Sequence, residues 1–285
     1  MNRFAERRKD RAMEFIKLTG IGLVLGITTI IPGISTSTIA VVFNVYDRFI
    51  EIITPNVKKI FAAWKFWLPI VVGALAGIFF FSKAITFLFT KHPVPTYWFF
   101  IGVIIGSIPV VYRKVRRPES AFPAVPSIIC CVIALALMAA MAVLKPAEDA
   151  VSYADLTPQV FAILLGGGAL AALAMIVPGI SGSFLLLVIG LYRTIVQAVS
   201  DLNIPLVVPV ALGAVVGIFA GAAFVRFLLA KAPRETYGAV LGLVAGSVFV
   251  LFPGGLGSGS TTIISLLCLA SGCAISFLLG RQKGN

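Results

Sequence analysis

Charge is scarce in this sequence: only 12% of its 285 residues are Asp, Glu, Lys or Arg, whereas 59% are apolar or aromatic. Soluble domains carry about 25% charged residues, so the composition excludes a water-soluble enzyme. Histidine occurs once, and the four cysteines lie in apolar segments without CxxC spacing or a partnering His. We therefore predict no metal site and expect the cysteines to pack as small residues rather than form disulfides.

Long apolar runs take the place of the missing charge. Residues 18–53, 67–90 and 204–230 each reach the length of about 20 residues that a helix needs to cross about 30 Å of hydrocarbon. The runs are continuously apolar, whereas barrel strands alternate between apolar and polar residues. The sequence therefore predicts an all-α polytopic membrane protein, with residues 1–285 forming a single membrane domain.

The net charge of +12 comes from short basic clusters between the apolar runs, at residues 3–11, 58–65, 113–117 and 281–283. This distribution is typical of loops that stay on the cytoplasmic side, and we expect no nucleic-acid partner. Both termini are predicted to be cytoplasmic. The loop that holds Glu148, Asp149 and Asp155 is predicted to lie outside, while Lys91 and Lys145 depart from the rule.

The chain repeats itself. Residues 31–50 match residues 177–196 at 7 of 20 positions, residues 69–79 match 209–219 at 6 of 11, and residues 91–110 match 231–250 at 8 of 20. Chance would produce about one match in ten, so the sequence predicts an internal duplication. The first repeat covers residues 12–145 and the second covers residues 157–281.

Each repeat divides into two apolar segments joined at Pro-Gly and three further apolar segments. They are residues 14–31, 34–53, 66–90, 97–112 and 122–144 in the first repeat, and 159–177, 180–199, 204–230, 237–252 and 261–280 in the second. The joined pair enters and leaves the membrane on one side, so with three further crossings each repeat crosses the membrane an odd number of times. The second repeat therefore starts on the opposite side from the first. We therefore predict two inverted repeats, each with a re-entrant Pro-Gly-broken hairpin and three transmembrane helices. A pair of ordinary Pro-kinked helices is the alternative.

The breaks read IIPGISTST from Ile30 and IVPGISGS from Ile176, with hydroxyl residues after the turn. Ser35 and Ser181 are placed as helix N-caps, so two helix N-termini with free N–H groups would face one site and favour an anion. Hydroxyls bind phosphate oxygens without a buried charge, and glycine lets a ligand approach the backbone. The motif residues predicted to contact the anion are Pro32, Gly33, Ser35, Thr36, Ser37, Thr38, Pro178, Gly179, Ser181, Gly182 and Ser183. The alternative is that these hydroxyls only cap and join helices.

The doubled PGIS motif, followed by Tyr-Asp-Arg at Tyr46 and Tyr-Arg at Tyr192, resembles the bacterial polyprenyl phosphate transporters, formerly a family of unknown function. The resemblance covers nearly the whole chain, although Thr36 stands where the family often has Gly. It implies a flippase in the cytoplasmic membrane that returns undecaprenyl phosphate to the inner leaflet, recycling the lipid carrier of cell-wall synthesis. It also implies a phosphate-bearing polyprenyl lipid and the bilayer as partners, whereas oligomeric state stays open.

Charged residues near the apolar segments are few. Arg48 follows Ile34 by 14 residues, or about 21 Å of helix, so Arg48 and Arg193 are expected at the two membrane boundaries. One possibility is that both arginines capture the phosphate headgroup of the lipid. The other is that they only extend to the interface, with Asp47 or Glu51 as the local partner of Arg48. Lys83 and Arg226 are expected to extend to the interface.

We predict transport by alternating access, with no cofactor. Asp47 and Glu51 are candidates for a proton or cation relay, and an interfacial cap is the alternative. Two other functions compete: a secondary transporter of a small anion, and a polyprenyl diphosphate phosphatase. The turns hold no Arg and the chain has no second His, which disfavours hydrolysis and predicts that the protein is not an enzyme.

Overall fold

Thirteen helices make up the part of the chain that the computed structural model describes, namely residues 2–29, 35–115, 125–143, 153 and 155–281. The helices of the first repeat are α1 Asn2–Thr29, α2 Thr36–Val42, α3 Tyr46–Ile52, α4 Val57–Ala62, α5 Trp64–Lys91, α6 Pro93–Val115 and α7 Val125–Val143. Those of the second repeat are α8 Pro158–Ile176, α9 Gly182–Val188, α10 Tyr192–Ser200, α11 Ile204–Lys231, α12 Pro233–Leu251 and α13 Ser260–Arg281.

Eight of these helices are long and apolar enough to span a membrane: α1, α5, α6, α7, α8, α11, α12 and α13. The predicted all-α polytopic membrane protein is therefore confirmed. The acidic residues Glu148 and Asp149 of the predicted outer loop lie outside the described residues, as do Pro32 and Gly33 of the first break.

The sequence predicted one helix after each Pro-Gly, at residues 34–53 and 180–199. The structure has two short helices in each segment instead. Asn44 and Gly190 stand at the breaks with φ of 55° and 76°, a left-handed conformation that ends a helix. The following N–H groups bond back in the same way in both repeats: Val45 to the Ala40 carbonyl at 3.0 Å and Leu191 to the Leu186 carbonyl at 2.9 Å. The second break bends α9 and α10 by 117°. The signal was in the sequence, because Asn and Gly at aligned positions are helix-ending residues.

Glycines let pairs of spanning helices touch through their backbones. Gly22 and Gly26 of α1 lie against Ile70 and Ala74 of α5, so the two helices run in the same direction. In the second repeat, Gly213 and Gly217 of α11 face Leu165 and Ala169 of α8 in the same parallel way. Since α1 and α5 are parallel, the intervening α2, α3 and α4 must bring the chain back to the end at which α1 began.

The two repeats interlock through their last helices. Gly102 and Gly106 of α6 lie against Leu269 and Cys273 of α13, while Gly238 and Gly242 of α12 lie against Ser127 and Cys131 of α7. Both pairs are parallel, and each joins the penultimate helix of one repeat to the last helix of the other. The repeats thus form one body.

Helix directions sort the loops into two ends of the bundle. His92 alone separates α5 from α6, and the Trp98 indole, near the start of α6, donates to the Gly255 carbonyl in the α12–α13 loop at 2.8 Å. The end at which α5 begins and α6, α11 and α13 finish is called the basic end, since it carries Lys58, Lys59, Lys65, Arg113, Lys114, Lys231 and Arg234. Helix α1 starts at the basic end and α8 starts at the opposite end, which supports the predicted inversion of the repeats.

Candidate functional site

The second Pro-Gly turn is built around Gly179, whose φ of 92° suits only glycine without strain. A Cβ at this position would also stand 2.6 Å from the Leu243 carbonyl carbon of α12. Pro178 precedes it in the same turn. The sequence therefore needs glycine here both for the bend and for the close approach of α12. Pro32 and Gly33 of the first turn lie outside the described residues, which resume at Ser35.

The two motifs meet in space. The Gly179 N–H donates to the Thr38 hydroxyl at 2.7 Å, and the Ser37 hydroxyl donates to the Val177 carbonyl at 3.2 Å. The Tyr46 hydroxyl donates to the Ile176 carbonyl at 2.9 Å, which satisfies one backbone group at the end of α8. Motif residues predicted from separate repeats thus lie together, and Tyr46 joins them as a residue whose role sequence reasoning missed.

Serine pairs repeat on both sides of this junction. The Ser35 and Ser37 hydroxyls are 2.7 Å apart, and the Ser181 and Ser183 hydroxyls are 2.9 Å apart. Ser35 and Ser181 are both N-cap residues, as predicted, but only Ser181 accepts a capping bond, from the Phe184 N–H at 3.5 Å. The hydroxyls of Ser35 and Ser37 are therefore bonded to each other and not to a helix N-terminus.

A pocket of about 120 Å³ lies between the two motifs, and we call it the hydroxyl pocket. Both repeats supply its walls, and none of the described lining residues carries a charge: Thr29, Ser35, Thr36, Met175, Ile180, Ser181, Gly182 and Ser183. Thr29 also belongs to the site, because its hydroxyl lies 3.3 Å from that of Thr36. Its size suits a small headgroup rather than a lipid chain.

The hydroxyl pocket lies part-way along the bundle. Ile176, the last residue of α8, lies against Gly221 of α11, which continues to Lys231 at the basic end. At 1.5 Å per residue, the stretch after Gly221 adds about 15 Å beyond the tip of α8. The motif is therefore held within the length of the spanning helices.

Helix dipoles contribute less to this site than the sequence analysis expected. Helices α2 and α9 contain 7 residues each, because the chain breaks again at Asn44 and Gly190. Few aligned peptide units then point at the pocket. The polar character of the pocket comes mainly from its side-chain hydroxyls.

Arg48 and Arg193 do not line the hydroxyl pocket. The Arg48 side chain is 54% exposed, lies 3.8 Å from Glu14, and stacks with its guanidinium 4.3 Å from the centre of the Phe66 ring. The expected local partner of Arg48, Asp47 or Glu51, is therefore wrong: the break at Asn44 turns α3 so that Arg48 faces α1 and α5. Arg193 is exposed on α10 and does not line the pocket. Capture of a headgroup by these arginines stays a prediction.

Asp47 joins three helices instead. Its carboxylate accepts from the Lys114 ammonium of α6 at 2.6 Å and from the Tyr237 hydroxyl of α12 at 2.8 Å. The Lys114 ammonium also lies 5.1 Å from the centre of the Tyr237 ring. Glu51 is exposed one helical turn further along α3. The sequence alone did not indicate Lys114 or Tyr237 as partners, since both are distant in the chain.

Arg226 of α11 binds the first hairpin, a contact that the sequence did not predict. Its guanidinium is partly buried and donates to the Ile50 carbonyl at 2.6 Å and to the Ile53 carbonyl. These carbonyls are at the end of α3, where backbone acceptors lack helical partners. Arg226 therefore holds the end of the first hairpin against the second repeat.

Residues 25–262 match the family described as undecaprenyl phosphate translocase-like. The chain belongs to this family. Similar curated proteins are the polyprenyl-phosphate transporter of Vibrio cholerae serotype O1, 29% identical over 78% of this chain and 72% of that protein, and the polyprenyl-phosphate transporter of Staphylococcus aureus, 28% identical over 91% and 94%. No solved structure matches the chain.

Membership confirms the resemblance drawn from the PGIS motifs. It also agrees with the prediction that the protein is not an enzyme, because the family and both relatives are named for transport. The hydroxyl pocket lies among residues that the family match covers.

Proposed function

We propose that this protein transports polyprenyl phosphate across the bacterial cytoplasmic membrane and binds the phosphate in the hydroxyl pocket. The observation that carries the proposal is that Ser35 and Thr36 of the first repeat and Ser181–Ser183 of the second line one pocket within the bundle, with no charge among its described lining residues. Hydroxyls can donate to phosphate oxygens without a permanent countercharge. The names of the relatives support a polyprenyl phosphate as the cargo.

The two hairpins are re-entrant in this proposal, and the basic end faces the cytoplasm, as the positive-inside rule favours. The parallel packing of α1 with α5 and of α8 with α11 supports hairpins that return to their own side. Transport from the outer to the inner leaflet would then recycle the lipid carrier of cell-wall synthesis.

Alternating access around the hydroxyl pocket is the mechanism that the duplication favours. At the basic end, Asp47 ties α3 to α6 and α12 through Lys114 and Tyr237. In the second repeat, whose hairpin returns to the opposite end, the residue aligned with Asp47 is Arg193. That end therefore has no carboxylate to make the equivalent contacts. We infer that the described conformation is closed at the basic end and that the contacts of Asp47 break when that end opens.

Reconstituted protein should move polyprenyl phosphate between the leaflets of a liposome, and we expect the rate to scale with the amount of protein. The measurement follows a short fluorescent polyprenyl phosphate whose outer-leaflet fraction is quenched by an impermeant reductant. Uptake of radiolabelled inorganic phosphate into the same liposomes tests the small-anion alternative. Phosphate uptake without lipid movement would overturn the proposal.

Neutralisation should accompany the crossing, because burying a phosphate of about −1.5 to −2 charges in a low-dielectric pocket is costly. If Asp47 and Glu51 relay a proton, an imposed pH gradient should accelerate lipid movement by the parent protein, and Asp47→Asn combined with Glu51→Gln should abolish that acceleration. Lys114→Met is the matched control, because it removes the ion pair of Asp47 but keeps both carboxylates. If the double variant responds to the gradient like the parent, the relay is wrong, although the transport proposal survives.

A further inference from the structure

An apolar groove of about 340 Å³ adjoins the hydroxyl pocket, and we call it the chain groove. It runs between α1, α2 and α3 of the first repeat and α8 and α11 of the second. Its apolar lining includes Leu25, Ala40, Phe49, Ile50, Ala172 and Ala214. Thr36 and Met175 line both the groove and the pocket, so the two spaces are neighbours with a shared wall.

The chain groove opens sideways. Met175, at its junction with the hydroxyl pocket, is 53% exposed, and Ile218 on the α11 wall is 37% exposed. Met175 lies near the tip of α8 and Ile218 lies within the spanning helix α11, so we place this open side of the groove toward the bilayer. A lipid could enter the groove from the bilayer while its headgroup enters the pocket.

We propose that the chain groove binds the first isoprene units of the polyprenyl chain, next to the phosphate. This inference rests on the proposed function, because it takes the hydroxyl pocket as the phosphate site. A cavity of about 150 Å³ holds one benzene, so the groove has room for about 14 carbons, or about three isoprene units. The rest of a long chain stays in the bilayer, where it is already in an apolar solvent.

The groove selects for a chain by shape rather than by hydrophobicity. Lipid tails are as apolar as the groove, so the chain gains no transfer free energy by leaving the bilayer. What the groove supplies is a fixed direction for the chain while the phosphate is bound. The protein should therefore recognise the phosphate and about three adjoining units, and be indifferent to the remaining length.

A second cavity, of about 680 Å³, is the alternative place for the chain. It lies between α1, α2, α5, α6 and α13, and Cys268 stands on its wall. Although it is larger, it shares no described lining residue with the hydroxyl pocket. Adjacency to the phosphate site favours the chain groove.

The position of the polyprenyl chain is tested by asking which cysteine thiols the bound lipid protects from chemical modification. Ala214→Cys places a thiol in the groove, native Cys268 reports on the larger cavity, and Val216→Cys on the lipid-facing side of α11 is the matched control. Modification by N-ethylmaleimide is followed at each cysteine by mass spectrometry in nanodiscs. At about ten times its Kd, farnesyl phosphate, with three isoprene units, should slow the Ala214→Cys reaction about tenfold. Inorganic phosphate should not slow it, and longer chains should protect no better.

Filling the groove gives a second, independent readout. Ala214→Trp should abolish transport of farnesyl phosphate but leave inorganic phosphate bound in the pocket, whereas Val216→Trp should change neither. Protection of Cys268 instead of Ala214→Cys would overturn the inference, and so would binding of farnesyl phosphate that protects neither cysteine. In both cases the transport proposal would stand. Failure of any polyprenyl phosphate to bind would instead refute the proposed function.

Discussion

Replacing Ser35 and Ser181 together with Ala should reduce affinity for polyprenyl phosphate by about a hundredfold or more, because hydrogen bonds to charged groups contribute about 1.5–3 kcal/mol each. The two serines line the hydroxyl pocket from different repeats, so each single variant should retain part of the binding. Binding to purified protein in detergent is measured by displacement of a fluorescent farnesyl phosphate, and transport is measured in liposomes.

The double variant should still fold. Ser35 makes no capping bond, and the capping bond of Ser181 to Phe184 is long at 3.5 Å, so its loss costs about 1 kcal/mol. The variant also loses the hydroxyl bonds to Ser37 and Ser183, each worth about 1 kcal/mol, while Ser37 keeps its bond to the Val177 carbonyl. Ser107→Ala with Ser247→Ala is the matched control. These two buried serines also stand at aligned positions of the two repeats, but their hydroxyls donate to carbonyls of their own helices. If the Ser35/Ser181 variant and this control bind polyprenyl phosphate equally well, the hydroxyl pocket is not the phosphate site.

Gly22→Ala should lower the stability of the protein by about 3 kcal/mol, at the upper end of ordinary overpacking costs. A Cβ on Gly22 would stand 2.1 Å from the Ile70 carbonyl oxygen, which belongs to the backbone of α5 and cannot rotate away. The helices α1 and α5 must separate to admit the methyl group, and that separation would displace the first hairpin. The apparent unfolding temperature in detergent measures the effect.

Gly20 of the same helix provides the control, because a Cβ there meets nothing within 4 Å. Gly20→Ala should leave the unfolding temperature unchanged or raise it, since Ala is favoured over Gly in a helix by about 1 kcal/mol. The second repeat offers the same comparison: Gly168 faces the Val210 carbonyl oxygen of α11 at 2.4 Å, whereas Gly166 faces open space. If both members of either pair behave alike, backbone contact does not set the distance between these helices.

The sequence by itself determined the fold class and the duplication, and it pointed to the PGIS motifs as the candidate site. Apolar runs such as residues 67–90 and 204–230 are long enough to span a membrane, and the repeat was visible in aligned residues such as Ser35 and Ser181. The family followed from the same PGIS motifs and is confirmed by the match over residues 25–262. Each of these conclusions depends only on local chemistry or on comparison of the chain with itself.

The tertiary structure decided which distant residues meet. Local pattern placed Asp47 beside Arg48, but the turn at Asn44 directs Asp47 to Lys114 and Tyr237 and leaves Arg48 with Glu14. Arg226 binds the carbonyls at the end of α3 for the same reason, since a partly buried guanidinium bonds to the acceptors that the packing brings close. The chain groove likewise exists only because α3 and α11, from different repeats, pack side by side. The hydrophobic pattern of a helix predicts which of its faces is buried, whereas the packing of the whole bundle decides which other helix that face contacts.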